Sequence, residues 1–236
     1  MKKEALKRIF QFLEAKENHN VPFLWKLVNN EPLTEDELNV KSDLDLSYTN
    51  ITSLPQGLKV GGNLDLSQVE MTSLPEGLEV GGDLNLEGLQ MTSLPKGLKV
   101  GDCLILSFSE ITRLPNDLEV KVNLILNFSK ITTLPKGLKV GGDIKLFGSN
   151  IRSLPEGLKV AGRLDLRDTN IGSLPKGLEV GGNLALNDCK KLTSLPKGLK
   201  VRGDLVIIRT NLTKYTDDEL KKMVGSGFIN GEIIRI

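Results

Sequence analysis

From residue 43 onward, apolar and polar positions follow a pattern that returns every 20 residues. Each unit opens with two leucines around one mostly polar residue, as in Leu44-Asp45-Leu46 and Leu64-Asp65-Leu66. An apolar residue follows a polar stretch (Ile51, Met71, Met91, Ile111, Ile131, Ile151, Ile171), and then a Leu-Pro pair, from Leu54-Pro55 to Leu174-Pro175. The eighth pair, Leu195-Pro196, falls one residue late because of an extra residue in "NDCKKLT". Alternation over Leu-x-Leu predicts a short strand with both leucines on one face. The element occurs nine times, ending at Leu205-Val206-Ile207. Proline cannot donate to a ladder, so "LPxGL" predicts a return limb outside the sheet. A unit this short cannot bury its own apolar side. Stacking such units gives parallel strands about 4.8 Å apart around one continuous core, a solenoid. In "LPxGL" Asp117 replaces glycine, which predicts a left-handed turn at Gly57 and its equivalents. The second glycine of "VGG" gives way to the β-branched Val122, which points to close backbone packing there and not to a dihedral need.

A solenoid needs its ends covered. Residues 2–18 place Leu6, Ile9, Phe10 and Leu13 at helical spacing. A second short helix is predicted in "HNVPFLWKLVNNEP", capped by Asn20, with Pro22 in its first turn and Val21, Leu24, Trp25 and Val28 as its apolar stripe. Thr34 with Glu37, and Thr216 with Glu219, have capping-box spacing. The second box precedes Leu220, Met223 and Val224, and Gly225 and Gly227 end that helix. "FINGEIIRI" predicts a hairpin with an Asn-Gly turn. The chain is thus expected to divide into a helical cap (1–40), the repeat array (41–213) and a helix-plus-hairpin cap (214–236).

Arrays of "LPKGL" with "LxLxxTxITSLP" resemble the bacterial LPX-type leucine-rich repeats, best known from type III secreted effectors; arrays built on "LPxGLxVGGxLxL" resemble those of uncharacterised bacterial and phage proteins. The resemblance covers residues 43–213. It implies a leucine-rich-repeat solenoid with a concave parallel sheet, of the α+β repeat class, and an effector-like adaptor or a scaffold role. The chain departs from the family at the position that usually holds asparagine. Here it is Thr49, Val69, Leu89, Ser109, Ser129, Ser149, Thr169 and Cys189, so the hydrogen bonding of the loops must differ. No ligase domain of the kind some such effectors carry is visible.

Charge changes this picture little. With 31 basic and 30 acidic residues the net charge is +1, which recommends neither nucleic acid nor an anionic membrane. Cys103 and Cys189 lie far apart and read as reduced thiols of a cytoplasm-like compartment. The start carries charges throughout, so no Sec signal is visible, and no apolar run approaches membrane-spanning length. The expectation is a cytoplasmic protein, or one exported without a Sec signal. One histidine, His19, cannot support imidazole-based catalysis by itself, and "VGG" recurring in the units is architecture and not a phosphate loop. No enzyme, cofactor or metal is expected. Acidic residues at outward positions of the first rungs, Asp43, Asp45, Asp65 and Asp83, form an acidic face; a shared hard cation, a docking face and simple solvation are its alternative readings.

The one departure that marks a site lies between the leucines. Down the rungs the middle residue runs Asp45, Asp65, Asn85, Ile105, Ile125, Lys145, Asp165, Ala185, Val206. Two places after the second leucine the series runs Tyr48, Gln68, Gly88, Phe108, Phe128, Gly148, Asp168, Asp188, and the position between adds Phe147 and Arg167. Ile105, Phe108, Ile125, Phe128 and Phe147 therefore fall on three adjacent rungs and one face. Together they would expose roughly 300–500 Å² of apolar surface, flanked by the acidic rungs on one side and by Lys145, Arg163 and Arg167 on the other. An apolar centre with a charged rim is the anatomy of a protein interface. Self-association is a variant of this reading, and local packing of the phenylalanines is its structural alternative. Nucleic-acid stacking on the phenylalanines is disfavoured by the charge balance.

Overall fold

The computed structural model describes residues 23–29 and 31–235. The helix predicted over 2–18, His19, Asn20, Val21 and Pro22 lie outside the described residues. The rest is a leucine-rich-repeat-like parallel-strand solenoid with short caps, as the periodicity predicts.

Every Leu-x-Leu element contributes a two-residue strand to one sheet, ten strands among the described residues, all parallel and in register one repeat apart. Leu44, Leu64, Leu84, Leu104 and Leu124 pair successively, and with Leu46, Leu66 and their equivalents they are almost wholly buried. The extra residue of the eighth repeat is absorbed in the turn at Lys190–Lys191, so the register of the strands survives it, with Leu184 opposite Leu205.

"LPxGL" does stay outside the ladders, but the two residues after it form a second set of strands, Lys59–Val60 through Lys200–Val201. The valines point into the core and the Lys and Glu residues outward. The repeats are therefore two-sided β units with no helix in them, unlike the α+β unit expected. Outward charges alternate as Lys59, Glu79, Lys99, Glu119, Lys139, and ion pairs join them (Lys59–Glu79 3.1 Å, Lys139–Glu119 3.6 Å). Between Lys139 and Lys159 two like charges become neighbours, and there the ladder is interrupted into six and four strands.

Glycine placement follows two rules. In "LPxGL" Gly57, Gly77, Gly97, Gly157, Gly177 and Gly198 have positive φ, as expected. Asp117 does not, nor does Gly137 on the next rung. On these two rungs the turn closes without a left-handed residue, as type I turns do, with the Leu118 and Leu138 N–H groups bonded to the Pro115 and Pro135 carbonyls. In "VGG" close packing decides. A Cβ at Gly101 would overlap the Gly81 carbonyl oxygen, and one at Gly82 the Asn63 side chain.

The caps differ in detail from expectation. The first described helix, Phe23–Asn29, buries Leu27, with Phe23 packed beside it, and leaves Leu24 exposed; the apolar stripe is thus rotated from the Leu24/Trp25/Val28 face. Thr34 and Glu37 make both capping-box bonds, but they close a single turn before the strand Asn39–Val40. The helix Asp217–Val224 has the full box at Thr216 and Glu219, buries Leu220 and Val224, and ends at Gly225, φ +60°. The expected hairpin does not form. Phe228–Ile229 joins the second sheet opposite Lys200–Val201, and Ile233–Ile234 joins the Leu-x-Leu sheet opposite Leu205–Val206. "FINGEII" is a last solenoid turn, its Gly231 stacked on Gly203 as in "VGG". Pairing with the exposed edge of the preceding coil satisfies both strands, where an Asn-Gly hairpin would leave that edge open.

Candidate functional site: an aromatic ladder on the Leu-x-Leu face

Two local rules govern this face, and on two adjacent rungs the first is broken while the second holds a phenylalanine. The first concerns the residue between the leucines. Asp45 accepts hydrogen bonds from the backbone N–H and the hydroxyl of Ser47 (2.9 and 2.7 Å), Asp65 accepts from the N–H of Ser67, Asn85 from that of Glu87, and Asp165 from that of Arg167. This polar residue caps the turn that leaves the strand, which is why the repeat prefers Asp or Asn there. The Ser47 hydroxyl, then its N–H, hold the Asp45 carboxyl below its ordinary pKa. Ile105 and Ile125 give up this cap. They stand directly opposite each other on paired strands, half-buried.

The second rule concerns the residue two places after the second leucine. It has positive φ on nine successive rungs: Tyr48, Gln68, Gly88, Phe108, Phe128, Gly148, Asp168, Asp188 and Arg209, all between 54° and 76°. Glycine fits at no cost; for other residues the left-handed conformation costs about 1–2 kcal/mol. Sequence reasoning missed this column, although its mixture of Gly and Asp is the usual signature of such a position. Phe108 and Phe128 accept the strain and remain 56% and 42% exposed. They are not folded into a plug.

The three phenylalanines do come together. Phe108 stacks on Phe128 with ring centroids 5.0 Å apart and planes 12° from parallel, and Phe128 meets Phe147 edge-on at 4.8 Å. Phe147 comes from one position earlier in its rung because Gly148 takes the left-handed place and the Phe128 ring lies over it. At the far end the Arg167 guanidinium covers Phe147 at 5.1 Å.

The rim differs from the sequence expectation in how its charges are engaged. Arg163 and Arg167 both pair with Asp165, whose side chain is only 5% exposed, and Arg167 grips it in a fork of 2.8 and 2.7 Å. These hydrogen bonds raise the Arg167 pKa. Of the three cations named for the rim, Lys145 alone has no ion pair among the described residues. On the acidic side, Asp43 and Asp83 each accept the backbone N–H of the equivalent residue one rung on, Asn63 and Cys103, both at 2.7 Å. Asn63, Asn123, Asp143, Asn183 and Asp204 do the same. These Asp and Asn side chains form a ladder along the edge of the sheet, at a different position from the one where the resemblance implied asparagine. At that implied position the hydroxyls of Thr49, Ser109, Ser129 and Thr169 bond the strand carbonyls instead, as Ser109 to Leu106 and Thr169 to Leu166, both 2.7 Å, whereas the buried Ser149 hydroxyl has no partner among the described residues. Val122 follows the Cys103 rung at the place where most rungs have the second glycine of "VGG", and Asp102 takes the same place after Asp83, so a Cβ is accommodated there on two rungs. Among the described residues no cluster of three His, Cys, Asp or Glu has the geometry to hold a metal ion.

A groove of about 960 Å³ lies over the second sheet at its interruption, edged by Lys139, Lys159, Glu179 and Lys200. Six cations line it, Lys121, Lys136, Lys139, Lys159, Lys200 and Arg202, against Glu119 and Glu179; Glu179 pairs with Lys159 at 3.7 Å and Lys200 at 3.1 Å, and Glu119 with Lys139 at 3.6 Å. The aromatic ladder is the apolar feature of the surface that the scaffold itself does not account for. No helix among the described residues is long and apolar enough to cross a membrane. No family model matches the chain, and no curated protein matches it either.

Proposed function

We propose that this protein is a non-enzymatic interaction module that binds a protein partner on its Leu-x-Leu face, at Ile105, Ile125, Phe108, Phe128 and Phe147, with Lys145 and Arg167 at the rim. One observation carries the reading: two adjacent rungs forgo the turn cap and hold exposed phenylalanines in left-handed backbone. Each choice costs stability that the scaffold does not recover, and such conflicts concentrate at functional sites. Burying one of these rings against a partner contributes about 1.5–3 kcal/mol, so a few anchors make a specific complex. The repeat pattern fits the LPX-type leucine-rich repeats, and an effector-like adaptor or a virion-type scaffold would use this same face. Two free cysteines fit a cytoplasm-like compartment.

The test is affinity capture from native lysate with wild type and an Ile105→Asp/Ile125→Asp variant. The substitution restores the scaffold's own pattern, so the variant is expected to fold with an unchanged far-UV spectrum. A prey protein held by wild type and lost by the variant is the expected result. Equal capture by both overturns the site. A wild-type mass that rises with concentration in light scattering, and does not in the variant, identifies a second copy of the chain as the partner.

A further inference from the structure

The aromatic ladder is closed at one end and open at the other. In the left-handed column each side chain leans onto the following rung: the Gln68 amide over Gly88, Phe108 onto Phe128, Phe128 over Gly148. Gly88 has no side chain to lean on Phe108, so the ring face toward the N-terminal rungs is flanked by the glycine backbone and the Gln68 carboxamide laid over it. The Gln68 carboxamide makes no hydrogen bond among the described residues.

The closed end shows what such a ring face receives. Arg167 lies over Phe147 with its guanidinium forked onto Asp165. The open end offers the same pair of partners. Glu87 occupies on its rung the place that Arg167 occupies on its own, and it has neither an ion pair nor a side-chain hydrogen bond among the described residues. The charge of the face points the same way. Segments 43–49, 63–69, 83–89, 103–109 and 123–129 hold Asp43, Asp45, Asp65, Asp83 and Glu87 and not one Lys or Arg.

Resting on the protein-binding reading above, we infer that the open face of Phe108 receives an arginine side chain of the partner. Its guanidinium stacks on the ring above Gly88, with the Glu87 carboxylate as counter-ion and the Gln68 side-chain oxygen as a further acceptor. A planar, delocalised cation suits this site better than an ammonium because it stacks and donates in one plane.

The probe is N-acetyl-arginine amide, titrated into the ¹⁵N-labelled full chain, with the neutral isostere N-acetyl-citrulline amide as control. Saturable shifts at the Gly88 and Phe108 amides are expected with arginine and not with citrulline. Affinity should fall about fivefold in Glu87→Gln and be lost in Phe108→Gly, which suits the left-handed position. Equal response to citrulline, or unchanged affinity in Glu87→Gln, overturns the arginine site. The two readings fail separately: capture that survives the isoleucine substitutions removes the protein-binding patch, whereas an arginine probe that does not bind leaves capture standing and removes only this inference.

Discussion

Phe108 concentrates the residue-scale argument. It sits at φ +57°, where a bulky side chain is an outlier, yet more than half of its surface meets solvent. If it were structural packing, truncating it would cost the 3–5 kcal/mol of a core phenylalanine. As a contact platform it should cost little. Phe108→Gly relieves about 1–2 kcal/mol of left-handed strain, loses a stacked ring pair of about 0.5–1.5 kcal/mol, and adds the unfolded-state entropy of glycine, roughly 0.5–1 kcal/mol. These nearly cancel, so denaturant unfolding should place the variant within about 1 kcal/mol of wild type. A loss beyond about 3 kcal/mol would return the ring to the core. The exposed patch itself was legible because Ile105 and Ile125 interrupt a run of Asp and Asn. The strain was missed, because φ is a property of the turn and the Gly and Asp residues that signal it stand on other rungs than the phenylalanines.

At the scale of the element, one coil is defined by how closely it lies on the last. Where "VGG" is intact, its first glycine lets the backbone approach the carbonyl of the previous rung and its second clears the ladder side chain that caps the next N–H; Lys121, Ala161 and Arg202 fill the first place on other rungs, and Asp102 and Val122 the second. Gly101→Ala should therefore destabilise by about 2 kcal/mol, since the Gly81 backbone against it must shift; Ala161, at the equivalent place, shows that a coil can be spaced to take that methyl. Gly97→Ala meets no neighbouring atom but must be held at φ +69°, and should cost about 1–2 kcal/mol. Chemical denaturation of the two variants ranks them; the reverse order would mean that turn conformation and not coil spacing limits the stack. The C-terminal segment belongs to this scale as well. Asn-Gly signals a hairpin by local rules, but the same two residues satisfy the coil-to-coil requirement of "VGG", and the open edge of the preceding coil decided between them.

For the whole molecule, repeated geometry makes small electrostatic contributions recur along its length. Hydrogen bonding to Lys99 and then Lys59 holds Glu79 below its ordinary pKa, Lys200 does so for Glu179, Arg209 for Asp188 and Thr216 for Glu219. For carboxyl groups depressed in the folded state, the stabilisation is complete above their unfolded pKa values, near 4.5 for Glu and 3.8 for Asp, and is lost as pH falls through the folded values. Thermal unfolding followed by circular dichroism should thus be level from neutrality down to about pH 5 and fall below that. A midpoint unchanged between about pH 5 and 3 would show that these pairs, all at the surface, contribute nothing.

The sequence by itself determined the solenoid, the strand faces, the core leucines and the rungs that carry the aromatic ladder, because each follows from a side chain's polarity and its place in a fixed period. Tertiary structure alone decided the second sheet and its interruption at Lys139 and Lys159, the ladder of Asp and Asn side chains, the final coil in place of a hairpin, and the engagement of Arg163 and Arg167 by Asp165. It also decided which end of the aromatic ladder stays open. Each of these depends on what the neighbouring coil presents at contact distance, and a repeat read one unit at a time does not contain its neighbour.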